Sequence, residues 1–306
     1  MAPPRAPPRL AHLHGSDTAP VVTLWIHGYQ TDGDLVRLSY FEKIPEGLQC
    51  QPPDGGMPNR RQLLFRYGAH LTVAEVGEAL AGHIVGLGAG VRLQIRAHSM
   101  GGLVFAAAIN HLGAIAGSID NAIFYDCPFA GVNLDLIRNH VIELKEQRRG
   151  SVQPNQRQEL DLRLAGHMVL YKYAESTVAS VPLLGVLRST NGADPLEALR
   201  EPIANLAGAH VPVVMCPVRG GQIFPSWTPT ATSAREEPMD ISVPENGARS
   251  FGPVVTALHD DIFGHRAMFK PETLPFHRKL EATFELKRSL GVLVLATVLV
   301  EVLALP

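Results

Sequence analysis

The sequence predicts an α/β chain: a mostly parallel central sheet covered by helices, with a helical cap inserted before the penultimate strand. Three observations carry that prediction. Short, β-branched apolar runs alternate with stretches of helical periodicity. One strand runs through a tight serine-containing turn straight into a helix. From residue 130 to residue 210 no strand pattern is evident.

In chain order, Met1 to Arg9 is rich in proline and lacks the continuous apolar stretch of a signal peptide, so residues 1–19 are read as a disordered Pro-rich tail. Val21–Ile26 is a buried strand ending at His27-Gly28, and RQLLFRY (Arg61 to Tyr67) a second one. Val73 to Leu87 has helical periodicity and ends near Gly88 and Gly90. Val91–Arg96 alternates apolar and polar residues as a strand does. It enters Ala97-His98-Ser99-Met100-Gly101-Gly102 and then a helix, Leu103 to Leu112. Asn121–Tyr125 is the fourth strand, ending at Asp126-Cys127-Pro128. After the cap, Val211–Cys216 and Phe251–Leu258 resume the strand pattern. The core is therefore expected over residues 20–129 and 211–286, and the cap over 130–210. Past residue 287, the stretch Leu290 to Leu305 is apolar except for Thr297 and Glu301. As a helix it would reach about 24 Å, short of a bilayer core of about 30 Å, so a terminal element packed on the body or a partner is preferred to a membrane anchor.

Composition narrows the function. The 306 residues are 46% hydrophobic, enough for one large core, and a formal charge of −2 holds no basic excess for nucleic acid. Cys50, Cys127 and Cys216 form no C-x-x-C pair and are odd in number, which fits a reduced, cytoplasmic chain. The histidines are scattered without metal-ligand spacing, and no metal or organic cofactor is implied.

The chemistry centres on Ser99. A serine hydroxyl becomes a useful nucleophile when a strained strand-to-helix turn holds it clear of the surface beside a base. Such a turn needs small residues two positions to either side, here Ala97 and Gly101, so the motif is A-x-S-x-G rather than G-x-S-x-G. An acyl-transfer intermediate carries an oxyanion that needs two aligned N–H donors. Met100, at the helix start, is one expected donor, and Tyr29, in the His27-Gly28-Tyr29 loop after the first strand, is the other.

With these pieces in this order, the chain resembles the α/β-hydrolase superfamily over about residues 20–285. It is most similar to the lipase-like serine esterases that share the HSMGG turn. The resemblance implies a histidine base after the last strand. His265, in Gly264-His265-Arg266-Ala267, is preferred, with His259 as the alternative. His98 and His27 are assigned to neither role. The resemblance also implies an acid, usually after the penultimate strand, but Arg219 to Pro225 holds no carboxylate. Asp126, after the preceding strand, is the first candidate and Asp240 the reserve. Asp260 and Asp261 follow their strand too closely. The expected activity is cleavage of a small-molecule or lipid-like carboxylic ester. A thioesterase, amidase or acyltransferase on the same residues, or an inactive fold used for binding, remain as alternatives.

Overall fold

The computed structural model describes residues 6–29, 39–49, 60–187, 194–241, 265 and 267–284. Among these residues seven strands form one sheet: β1 (Arg9–His14), β2 (Val21–Ile26), β3 (Arg60–Arg66), β4 (Arg92–His98), β5 (Ile119–Tyr125), β6 (Val213–Cys216) and β7 (Ala234–Glu236). Their order is β1-β3-β2-β4-β5-β6-β7. β1 runs antiparallel to β3, and every other pair is parallel. This is the α/β-hydrolase fold that the sequence led us to expect.

Helices cover both faces, so the central strands are buried on both sides, and the polar residues they carry are paired inside, as Thr23 is with Gln94 and Arg96 with Asn121. All six residues of β2 are buried. Side chains alternate with the period of two that a strand imposes. Leu24, Leu63, Ala122 and Val213 point into one apolar cluster, and Trp25, Leu64, Ile123 and Val214 into the other. The first face is covered by α2 (Val73–Val85), α3 (Met100–Leu112) and α6 (Glu197–Gly208), which bring Val76, Leu103 and Ile203 into the same cluster. On the second face lie α1 (Ser39–Gln49), through Ile44, and a helix over residues 274–284, here α7, through Leu280 and Phe284. α3 is apolar on nearly all sides because it is nearly all buried. Thr72 and Glu75 form a capping box that starts α2.

A buried ion cluster fastens α7 to the sheet. Arg96 of β4 donates to both Glu281 carboxylate oxygens, at 2.6 and 2.9 Å, and to the Asn121 side chain at 2.7 Å. Arg60 adds a contact to Glu281 at 3.3 Å. One turn earlier, His277 donates through Nε2 to the Met268 carbonyl at 2.8 Å, leaving Nδ1 to accept from the Tyr125 hydroxyl at 3.1 Å.

Two expectations need correction. Residues 9–14 are not part of a disordered tail, since Arg9–His14 pairs with β3 as an edge strand. The cap is also shorter than 130–210. Among the described residues it consists of α4 (Leu134–Gly150) and α5 (Pro154–Ser180), packed as a hairpin, followed by a short 3-10 turn. α6 belongs to the core, because Leu199, Ile203 and Leu206 bury against the sheet-facing cluster. β7 is short and polar, and was not anticipated. The strand expected at 251–258 and the apolar segment 287–306 lie outside the described residues.

Candidate active site

The parallel register aligns the carboxyl ends of the central strands. Ile26 pairs with Ala97, Ala97 with Phe124, and Phe124 with Met215. The ladder continues one step further, with Ser99 N donating to Tyr125 O at 2.9 Å and Asp126 N to Cys216 O at 2.8 Å. Ser99 and Asp126 therefore stand on one row at the same edge of the sheet.

Ser99 follows β4 directly and caps α3 with φ 53° and ψ −129°, a left-handed conformation that costs a non-glycine residue about 1–3 kcal/mol. Two close approaches hold it there. A side chain at Gly101 would meet the backbone oxygens of Ile26 and His27 at 2.5 and 2.6 Å, so only glycine lets α3 begin against the end of β2. Ala97 is fully buried between Ile26 and Phe124, which shows that a methyl fits the first small position. The Ser99 hydroxyl makes no capping bond to α3.

Asp126 also has a positive φ, 45°. Its Oδ2 lies 2.6 Å from His265 Nδ1, and its Oδ1 accepts from Val218 N at 3.3 Å. A carboxylate only accepts, so Nδ1 donates in this contact, and Nε2 is the ring nitrogen on the side away from Asp126. Phe224 stacks on the His265 ring at 4.5 Å and 23°. The His98 ring lies 4.6 Å away on centroids, and its Nε2 donates to the His265 carbonyl at 3.0 Å.

The loop after β2 lies over the serine. A side chain at Gly28 would meet Ser99 Cβ at 2.6 Å and Oγ at 3.2 Å, so this backbone passes beside the hydroxyl. His27 fixes the direction of the loop. Its Nε2 accepts the Tyr67 N–H at 3.2 Å, which leaves Nδ1 to donate to Gly28 O at 2.6 Å. The Tyr67 ring stacks on it at 4.2 Å, and the Tyr67 hydroxyl donates to His27 O at 2.6 Å. Burial lowers the His27 pKa to about 4, so the ring is neutral at pH 7. A trans amide points its C=O and N–H in opposite directions. With Gly28 O turned to the His27 ring, the Tyr29 N–H faces away from it.

The structure thus brings Asp126, His265 and His98 into contact near Ser99, with Met100 at the first turn of α3 and Tyr29 in the overlying loop. Asp240 stands apart on the surface, exposed and paired with Arg219. His259 lies outside the described residues. Sequence reasoning missed Phe224, because the loop Arg219–Pro225 holds no carboxylate and supplies an aromatic ring instead. Among the described residues, no group of three His, Cys, Asp or Glu side chains is arranged to hold a metal ion.

Strand order and the strand–turn–helix at Ser99 place the chain in one structural class, the α/β-hydrolase fold. No protein-family model and no curated protein matches it. Among solved structures it is similar to a thermophilic esterase from Thermogutta terrifontis, at 15% identity and a TM-score of 0.45, over 90% of this chain and 93% of that one. It is also similar to a membrane phospholipase A described as a bacterial virulence factor, at 13% identity and TM-score 0.42, over 91% of this chain and 84% of that one. A carboxylesterase structure from Nitrososphaera gargenis matches at 13% identity and TM-score 0.38, over 71% of this chain and 78% of that one.

Proposed function

We propose that this chain is a serine hydrolase that cleaves carboxylic esters through an acyl-enzyme on Ser99. The observation that carries the proposal is the 2.6 Å contact between Asp126 Oδ2 and His265 Nδ1 beside the strained Ser99 turn. Asp126 holds the imidazole in the tautomer whose Nε2 can accept a proton. His265 takes the Ser99 proton as Oγ attacks the ester carbonyl, and returns it to the leaving alcohol. Water then attacks the acyl-enzyme by the same route in reverse order. The N–H groups of Met100 and Tyr29 receive the oxyanion, each worth about 10²–10³ in rate. The substrate is apolar or lipid-like. Val132, Tyr171, Ile223 and Phe224 make an apolar patch that runs from cap helix α5 to the His265 ring, and it suits an acyl chain better than a charged group.

Turnover of short- and long-chain p-nitrophenyl esters, together with labelling by a fluorophosphonate, tests this reading. Wild type should turn over and label, Ser99→Ala should do neither, and His265→Ala should be nearly inert. A wild-type protein that neither turns over nor labels would sink the catalytic reading and leave a binding role.

A further inference from the structure

Among the described residues, Asp126, Phe224 and His98 hold His265, and they act on different parts of it. Asp126 fixes Nδ1, and Phe224 lies against the ring. The backbone of His265 is held from elsewhere: its carbonyl accepts the N–H of His98 Nε2 at 3.0 Å. His98 is the last residue of β4 and the immediate neighbour of Ser99. It pairs with Tyr125, the residue before Asp126. We infer that His98 is a positioning residue, tying the backbone of the base to the strand that carries the nucleophile. This inference rests on the hydrolase reading, with Ser99 and His265 as the reacting pair.

Three features suit the His98 ring to this task. It is rigidly seated, edge-on to the fully buried Phe269 at 4.9 Å and 64°. It offers the N–H at a fixed reach from the main chain, on an element that also sets the Ser99 turn. It also does so without charge: burial, and then the proximity of His265, hold its pKa well below that of an ordinary histidine. A permanent cation at position 98 would oppose the imidazolium that forms on His265 as the proton moves. A neutral N–H donor anchors the backbone and leaves that charge undisturbed.

An error of about 1 Å in the placement of a base is enough to cost about 10²-fold in rate. The test is therefore a pair of substitutions in the full chain. In His98→Leu the donor is lost and apolar bulk is kept, and in His98→Gln the side-chain amide N–H can reach where Nε2 stood. Ester turnover should fall about 10- to 100-fold in His98→Leu through kcat, with KM nearly unchanged, and His98→Gln should recover most of it. The second readout needs no turnover. The downfield proton resonance of His265 Nδ1–H, bonded to Asp126, should shift or broaden in His98→Leu and return in His98→Gln. The inference is overturned if the resonance is unmoved and His98→Leu turns over like wild type. It is also overturned if Leu and Gln variants are equally impaired and equally destabilised, since that marks a packing role alone. A wild-type protein inert to esters and fluorophosphonate would instead refute the hydrolase reading, and the resonance would still decide whether His98 tethers His265.

Discussion

Arg96 and Ser99 lie on the same short stretch of chain, and beside each stands a polar cluster, Arg96–Glu281 at one and Asp126–His265–His98 at the other, that joins the sheet to residues 265–284. The two clusters are built on opposite terms. At Arg96 the backbone is regular strand, and the guanidinium is satisfied by Glu281, Asn121 and the Ile95 carbonyl. Burial works against the Glu281 carboxylate, yet Arg96 and Arg60 beside it outweigh burial and hold its pKa below the usual carboxylate range. At Ser99 and Asp126 the backbone is twisted into positive φ, and the serine hydroxyl is not used to cap its own helix. Saturation makes the first cluster a fastener. Backbone strain, and a serine hydroxyl that does not cap its own helix, make the second suited to chemistry.

Substitutions should separate the two. The largest effect is expected for Ser99→Ala, which should lower ester hydrolysis by roughly 10⁴–10⁶-fold and leave the melting temperature within a few degrees of wild type. Asp126→Asn should follow, at about 10⁴-fold in kcat, because the amide favours the wrong tautomer of His265. If either variant unfolds instead, the proposed division between a reactive and a structural cluster fails.

Glu281→Gln should do the reverse. Leaving Arg96 short of its charge partner costs about 3–5 kcal/mol of stability by denaturant titration, while the folded fraction keeps its chemistry. The double variant Arg96→Met with Glu281→Leu should recover much of that loss, since neither buried charge is then left alone. A double variant that is less stable than Glu281→Gln would count against this account.

An effect of comparable size should appear with pH. His27 and His277 are fully buried, and burial lowers each pKa from 6.5 to about 4. Between those values the unfolded chain binds protons that the folded chain does not. Their share of stability is thus fully present above pH 6.5 and lost as pH falls toward 4, by about 3 kcal/mol for each ring. Melting curves from pH 7 to pH 4 should show this fall, and His277→Gln should flatten it. An equal slope in that variant would mean that the ring does not stay neutral in the fold.

How far the sequence could be read depended on how local the cause was. The β4–turn–α3 unit was legible because its period switches from 2 to 3.6 across AHSMGG, and β2 because five apolar residues of six announce a doubly covered strand. β1 was hidden because RLAHLH follows a proline run and gains its partner only through β3. α6 was lost in the cap because its Leu- and Ala-containing sequence resembles its neighbours, and only packing on α3 and the sheet separates it. The choice between Asp126 and Asp240 stayed open for a similar reason. Asp126 meets His265 across 139 residues, and strand order in space, rather than spacing in sequence, sets that distance.

β1 also has a consequence for the protein in a crowded solution. Without it, β3 would present RRQLLFR as a bare rim with buried Leu63, Leu64 and Phe65 at its heart, a surface able to template further strands. With it, the rim becomes a short strand bearing Arg9, His12 and His14, while among the described residues the opposite rim is the three-residue, charge-bearing β7. The β1 margin of the sheet is thereby a poor seed for assembly into fibres, and that guard depends on the six residues Arg9–His14.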